Sequence, residues 1–386
     1  MKPLSSLRSL GWAIPLLTVA LLFPVASLAA DDGAWSWVGT PDWHSPCAVH
    51  DPVRDRKIVF DAWGLGEVWA FSPASTPQWT LLASGASGPG TTLGPGVAYD
   101  PGRDRVVVAA LSTGEAWALS LGDSPAWTQL APAGSPPVGW SDQAVVHDAA
   151  HGRLVFFGGR TSVYDEERGY IDVYSSDVWT LSLGETPEWT QLTPPGAPPA
   201  RADAGAVYDP VGGRMVTFGG RGEVDDTTHC YDDTWALSLG DTPTWTELAP
   251  AGTPPSRRYG HSAAYDAVRG RMVVFGGSLN APPWGFNDVW ALSLDGTPAW
   301  RQLTPAGTSP PECVYHAAVC DPVRDRMVVF GGEWDYDEKK EVWSLSLGET
   351  PAWTDLTPVR ATARFGHTAV HDPLGDRMVV FGGYAW

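Results

Sequence analysis

From Ser262 to Leu303 the chain alternates short apolar runs with polar breaks, and no stretch of it carries the 3.6-residue apolar period of an amphipathic helix. Four runs stand out: Ser262-Ala263-Ala264-Tyr265, Arg271 to Phe275, Val289 to Leu294, and Trp300 to Leu303. Each is short, rich in β-branched or aromatic residues, and bounded by turn formers such as Asp266-Ala267-Val268-Arg269-Gly270, Gly276-Gly277 and Asp295-Gly296-Thr297-Pro298. The pattern predicts four antiparallel strands, here called a, b, c and d.

The same pattern recurs along the chain. Phe-Gly-Gly closes strand b at 157–159, 218–220, 275–277, 330–332 and 381–383, with degenerate counterparts at Phe60-Asp61-Ala62 and Val108-Ala109-Ala110, so strands a and b occur seven times. Strand c centres on Trp69, Trp117, Trp179, Trp235, Trp290 and Trp343, and strand d opens on Trp79, Trp127, Trp189, Trp245, Trp300 and Trp353. Small four-stranded sheets recurring every ~45–60 residues bury their faces only against one another, which makes each a propeller blade. The repeated tryptophans are expected to pack blade against blade. The glycine pairs are expected where the backbone needs a positive φ or a close approach.

Phe-Gly-Gly ending the second strand, an aromatic in the third and a Trp opening the fourth resemble the kelch repeat, over nearly all of residues 34–386. The resemblance implies a β-propeller like the central domain of galactose oxidase or a sialic-acid mutarotase. It departs from the family in having Trp for the usual Tyr in strand c and in lacking the glycine pair in the first two copies. The expected fold is all-β: a seven-bladed β-propeller of kelch-type four-stranded blades. Because strand c occurs six times, the last blade is expected to be incomplete and closed by the N-terminal segment Ala34-Trp35-Ser36-Trp37-Val38, which resembles strand d. The alternative is a chain whose last strand c lies beyond Trp386.

Residues 1–30 read as a signal peptide. Lys2 and Arg8 precede an apolar run from Gly11 to Val25, and Ser27-Leu28-Ala29-Ala30 supplies small residues for cleavage after Ala29 or Ala30. The run is short for a membrane anchor and holds Pro15 and Pro24. Residues 31–386 then form the propeller, exported to a secreted, periplasmic or cell-surface location. Length alone, 386 residues, would allow two or three domains at the usual ~100–200 residues each, but the repeats override that count. Leader removal deletes two basic residues and no acidic one, moving the formal charge from −19 to −21. A surface this acidic repels phosphate backbones and anionic lipid, so nucleic acid and membrane surfaces are excluded as partners. Cys47, Cys230, Cys313 and Cys320 admit three disulfide pairings, and none has zinc-site spacing.

Strand direction sorts the loops. The b–c loops and the inter-blade d–a loops leave one face, and the uniform a–b turns leave the other. The b–c loops vary most and carry acidic and aromatic residues: Tyr164, Asp165, Tyr170, Asp172 and Tyr174 in blade three, Asp225, His229 and Tyr231 in blade four, Trp284 and Phe286 in blade five, Trp334, Asp335 and Tyr336 in blade six. The d–a loops bring Arg201, Arg257, Arg258, Tyr259, His261, Tyr315, His316, Arg364 and His367 to the start of the innermost strand. These residues are expected to form a cationic centre inside an acidic rim, suited to a carboxylate-bearing sugar or an acidic side chain. Tyr315-His316 also resembles the Tyr-His that ligates copper in galactose oxidase. No spacing resembles a calcium loop, and no nucleophile elbow or phosphate loop is present. Two functions therefore stand: a monomeric binding module for a glycan or protein, with no resident cofactor; or a carbohydrate-active enzyme, a mutarotase or copper oxidase, using His261, His316 or His367. The loop carboxylates are the place for calcium, and the oxidase alternative would take copper.

Overall fold

The computed structural model describes residues 46–357, apart from short loop segments at 62–66, 73–77, 84–87, 90–94, 226, 280, 283, 335–336 and 339–340, together with the strands Arg364–Asp372 and Arg377–Ala385. The leader and the segment 34–38 lie outside the described residues. Six four-stranded antiparallel sheets follow one another, spanning 46–83, 96–130, 144–192, 205–248, 262–303 and 317–355. In blade five the strands are Ser262–Asp266, Arg271–Phe275, Val289–Ser293 and Ala299–Leu303, within one residue of the sequence reading, and they pair in the order a-b-c-d.

Among the described residues six four-stranded blades are built, not seven. The seventh a–b pair, Arg364–Asp372 with Arg377–Ala385, forms a separate two-stranded sheet. Blade six draws its four strands from its own stretch of chain and packs directly on blade one. Val59, Phe71 and Trp79 of blade one form one buried cluster with Ala317, Val328, Phe330 and Val342 of blade six. The Phe330 ring lies 5.6 Å from Phe71 and 5.8 Å from Trp79. Each of the other five interfaces between consecutive blades holds an equivalent cluster.

Burial follows from this packing. Strand b lies between a and c with a neighbouring blade on each face, so four of its five residues are buried in blades two to six. The Phe ending strand b meets the strand-d Trp of the next blade: Phe157 with Trp245 at 4.6 Å, Phe218 with Trp300 at 4.9 Å, Phe275 with Trp353 at 4.9 Å. Burying each such ring removes it from water at a gain of about 1.5–3 kcal/mol. The glycine after that Phe cannot be replaced freely. Gly276 has φ 68°, and a Cβ there would lie 2.8 Å from the Cys313 carbonyl oxygen.

The recurring Asp-to-Arg spacing of the a–b turn also binds the blades. One Asp266 oxygen accepts the backbone N–H of Val268 at 3.1 Å, closing the turn, and the other accepts Arg271 Nε at 2.8 Å. Arg271 Nη2 then reaches the Leu347 carbonyl of blade six at 2.8 Å; Arg105, Arg153 and Arg214 reach Leu183, Leu239 and Leu294 in the same way. A second tie joins turn to turn where blade n carries Arg and blade n+1 an Asp at the left-handed position: Arg54 to Asp104, Arg269 to Asp325, and Arg324 to Asp55. Glycine fills that left-handed position in blades three, four and five, and those blades receive no such pair.

The Arg324–Asp55 pair tests ring closure. R324E combined with D55R should recover about 0.5–1 kcal/mol relative to the sum of the single changes, because surface pairs of this kind couple weakly but measurably. A double-mutant cycle by urea unfolding that gave zero coupling would mean that blades one and six are not neighbours.

Candidate functional site

The variable b–c loops are largely hairpins: Arg160–Asp165 pairs with Gly169–Tyr174, Arg221–Val224 with Thr227–Cys230, and Glu333–Trp334 with Asp337–Glu338. Each is tethered to a d–a loop by a bridge, Ser141 to Arg160, Ala202 to Arg221 and Val314 to Glu333. The d–a loops are tied to one another in turn. The peptide N–H of Asp203 donates to Asp142 O at 2.9 Å, Gly260 to Asp203 O at 3.0 Å, and Tyr315 to Gly260 O at 2.9 Å. This chain runs from blade three to blade six and holds all four residues in the left-handed region, with φ between 55° and 63°.

The expected cationic centre is not what these loops form. Arg201 and Arg258 are buried and turned onto carboxylates of their own blades. Arg258 Nη1 and Nη2 donate to Asp288 at 2.6 and 3.0 Å, Nη1 also to Gly276 O at 2.8 Å, and Nε to Ser256 O at 3.0 Å. Its guanidinium lies 4.1 Å from the Phe286 ring centre, so Phe286 is a platform for Arg258 and not a ligand contact. Arg201 repeats the arrangement with Asp233, at 2.5 and 2.8 Å, and Tyr231. Burial opposes the charge on Asp233 and Asp288, but the arginine hydrogen bonds outweigh it and hold both carboxyls below the usual range. These two arginines clamp strand a to strand c across the glycine exit of strand b. Arg257, next to the clamp, is exposed.

The histidines are also internal. His316 is buried, with Nε2 2.8 Å from Ser262 Oγ and Nδ1 3.3 Å from Cys313 Sγ, and burial lowers its pKa to about 4. His261 is held well below its ordinary value by burial and then by Arg258, with its ring 5.4 Å from Phe218. Both are neutral wedges between blades, and the adjacent Tyr315 turns to other partners, so Tyr315 and His316 do not converge as a metal pair. Among the described residues no group of three or more His, Cys, Asp or Glu is placed to hold a metal ion. None of the four cysteines is disulfide-bonded. Asp335 and Tyr336 fall outside the described residues, as do the side chains of Trp334, Arg364 and His367.

What the face does hold at its centre was not singled out from the sequence. Arg160 joins Asp142 at 2.7 Å and Asp172 at 2.9 Å. Arg221 joins Asp203 at 2.7 Å, stacks 4.5 Å over Tyr259, and reaches the Tyr315 hydroxyl at 3.3 Å. Burial and the Asp142 carboxylate push Asp203 above the usual carboxylate range, and burial with Asp203 raises the Tyr315 hydroxyl, so that phenol stays protonated. The signal was present: Arg160 and Arg221 directly follow a glycine pair, and an Asp occupies the matching place in the preceding d–a loop. The centre thus holds three carboxylates against two guanidiniums, each carboxylate in an ion pair.

Exposure on this face is aromatic and lies off-centre. Tyr164 and Tyr170 at the tip of the blade-three hairpin are 68% and 80% exposed and meet edge to face at 5.3 Å, flanked by exposed Val163 and Val173. Trp284 of blade five is 58% exposed.

Comparison with known proteins gives a consistent outcome. Residues 108–295 match the KLHDC2/KLHL20/DRC7 Kelch-repeats domain, and residues 231–386 the Attractin/LZTR1 beta-propeller. The chain is 30% identical over 248 residues to the serine/threonine-protein phosphatase BSL2 of Arabidopsis thaliana, which covers 60% of this chain and 23% of that protein. It is 31% identical over 251 residues to Adagio protein 3 of the same plant, covering 61% and 37%. The chain therefore spans well under half the length of these curated relatives. Among solved structures YjhT matches with a TM-score of 0.55 at 14% identity, over 82% of this chain and 97% of that one, which is a likeness of fold alone.

Proposed function

Because the chain belongs to the kelch-repeat β-propeller family, a fold that typically serves as a protein-interaction module, we propose that it is an exported module binding a polypeptide partner on its b–c and d–a loop face. The observation that carries this reading is the Tyr164–Tyr170 pair. Two large rings held in mutual contact at a hairpin tip present contact area that costs little conformational entropy to bury. At the base of their hairpin Arg160 is already held by Asp142 and Asp172, so it offers no free cation to a ligand. A glycan is the weaker fit. Sugar stacking needs an open ring face, whereas these rings meet edge to face, and the arginine forks that would hold a sugar carboxylate are committed to Asp233 and Asp288.

A photoreactive phenylalanine analogue at Tyr170 tests this, with one at Val268 on the opposite face as control. The expected result is a discrete polypeptide adduct from position 170 that is absent from 268, and loss of that partner's binding in a Tyr164→Ala/Tyr170→Ala protein of unchanged stability. Adducts from 268 alone, or glycan-array binding that the double substitution abolishes, would overturn the assignment.

A further inference from the structure

A cavity of about 420 Å³ lies inside the ring at the end carrying the a–b turns, opposite the loop face. Its wall is strand a of several blades, and the residue just before the turn aspartate supplies its polar belt. The side chains of three members of that belt, His147, Tyr265 and Cys320, make no hydrogen bond to another described residue. Two residues deeper along each strand, about 6–7 Å at the usual rise, the lining turns to the methyl groups of Val145, Ala206, Ala263 and Ala318. Burial lowers the pKa of His147 and raises those of Tyr265 and Cys320, so all three groups are uncharged at neutral pH. The neighbouring Asp266 and Asp321 are already paired with arginines.

We propose that this chamber is a binding site for a small uncharged amphiphile, an aromatic or aliphatic alcohol or phenol, whose apolar body enters the methyl-lined neck and whose hydroxyl meets the His147–Tyr265 belt. The volume and the mostly apolar lining with a few converging polar groups match a ligand pocket. A neutral imidazole and a phenol each donate and accept, as a hydroxyl does, so they complement it without an unpaired group. A charged ligand finds no free counter-ion there, and a polyol would leave hydroxyls unsatisfied against the methyl wall. The site lies away from the loop face and does not rest on the reading of that face.

Calorimetric titration of the full chain with 2-naphthol, and with 2-naphthalenesulfonate as its charged counterpart, tests the proposal. Naphthol is expected to bind one to one and the sulfonate at least about tenfold more weakly. Ala263→Leu fills the neck and should weaken naphthol at least about tenfold, and Tyr265→Phe about three- to tenfold, the value of one lost hydrogen bond. Should Ala263→Leu fail to fold by circular dichroism, Ala318→Leu blocks the same neck, and the Tyr265→Phe arm needs neither. No binding of naphthol at its solubility limit, equal binding of the sulfonate, or binding unaffected by the neck substitution would each overturn the proposal.

Discussion

Arg258→Met is expected to destabilise the ring by about 3–5 kcal/mol, the cost of removing one partner from a buried ion pair. The guanidinium is fully buried and makes four hydrogen bonds, two of them to Asp288. Methionine fills much of the volume above Phe286 but takes both guanidinium donors from Asp288, leaving Trp290 Nε1 at 2.7 Å as its side-chain donor, and strips Gly276 O of the Arg258 donor. Arg258→Lys should fall between, because a single ammonium cannot reproduce a planar fork on a carboxylate and a carbonyl together. Arg257→Met, one residue away and exposed, should change stability by no more than about 0.5 kcal/mol. The acid limb supplies a second check. Asp288 is held below its unfolded pKa, so its contribution is present above about pH 4 and is lost as pH falls through the folded value. Urea unfolding curves of the two proteins should therefore converge in acid. A cost below ~1 kcal/mol at pH 7 would show that the clamp is not what joins strand a to strand c.

Lys57→Met is expected to act in the opposite direction, stabilising the protein at pH 7 by about 1–3 kcal/mol. Lys57 follows the first arginine of strand b, the place filled by Val106, Leu154, Met215, Met272 and Met327 in the other blades, and its side chain is 0% exposed at the seam of blades six and one. Burial outweighs Asp321 and Asp55 and lowers its pKa to about 8. Its Nζ lies 3.7 Å from Asp321 Oδ1 and 2.9 Å from His50 Nδ1. Methionine would not orphan Asp321, which keeps Arg324 at 3.3 Å and Arg326 at 3.2 Å. A lysine whose folded pKa is depressed contributes most above its unfolded value, about 10.4, and that contribution is lost as pH falls through about 8. The advantage of Lys57→Met should therefore shrink as pH rises from about 8 to 10.5. Denaturant midpoints at pH 7 and pH 10 read it directly. A Lys57→Met protein less stable than the parent at pH 7 would mean that the Lys57–Asp321 attraction exceeds the desolvation cost.

Lys57 also shows why the seam escaped the sequence. Its position is apolar in every other blade, but a lysine at a strand start reads as a solvated end unless the neighbour across it is known. Ring closure was misread for the same reason. Seven copies of Phe-Gly-Gly or its relics predict seven blades, and only the contact of Phe330 with Phe71 and Trp79 decides that six close the ring.

The local chemistry was more transparent. Strand boundaries and the sorting of loops by face follow from period-two patterning and turn residues, which act over a few neighbours; the repeated tryptophans divide, with Trp79, Trp189, Trp245, Trp300 and Trp353 of strand d buried and the strand-c tryptophans only half-buried. Arg201, Arg258, His261 and His316 lie at the start of strand a, with the two arginines turned onto Asp233 and Asp288 and the two histidines buried. An arginine in sequence does not disclose whether a carboxylate thirty residues on will take its fork, as Asp288 takes that of Arg258. Arg160 and Arg221 were passed over because their partners Asp142 and Asp203 lie in a different loop, brought beside them by the bridges between d–a and b–c segments.

By itself the sequence determined the blade: four strands, the aspartate-closed turn and the glycine exit, all set by chain geometry within about fifty residues. Only the tertiary structure decided how many blades close, which charges are spent internally, and that the inner strands enclose a chamber lined by His147 and Tyr265. Those outcomes depend on which groups face each other across blades, and pairing across blades is a property of the assembled ring that no single repeat contains.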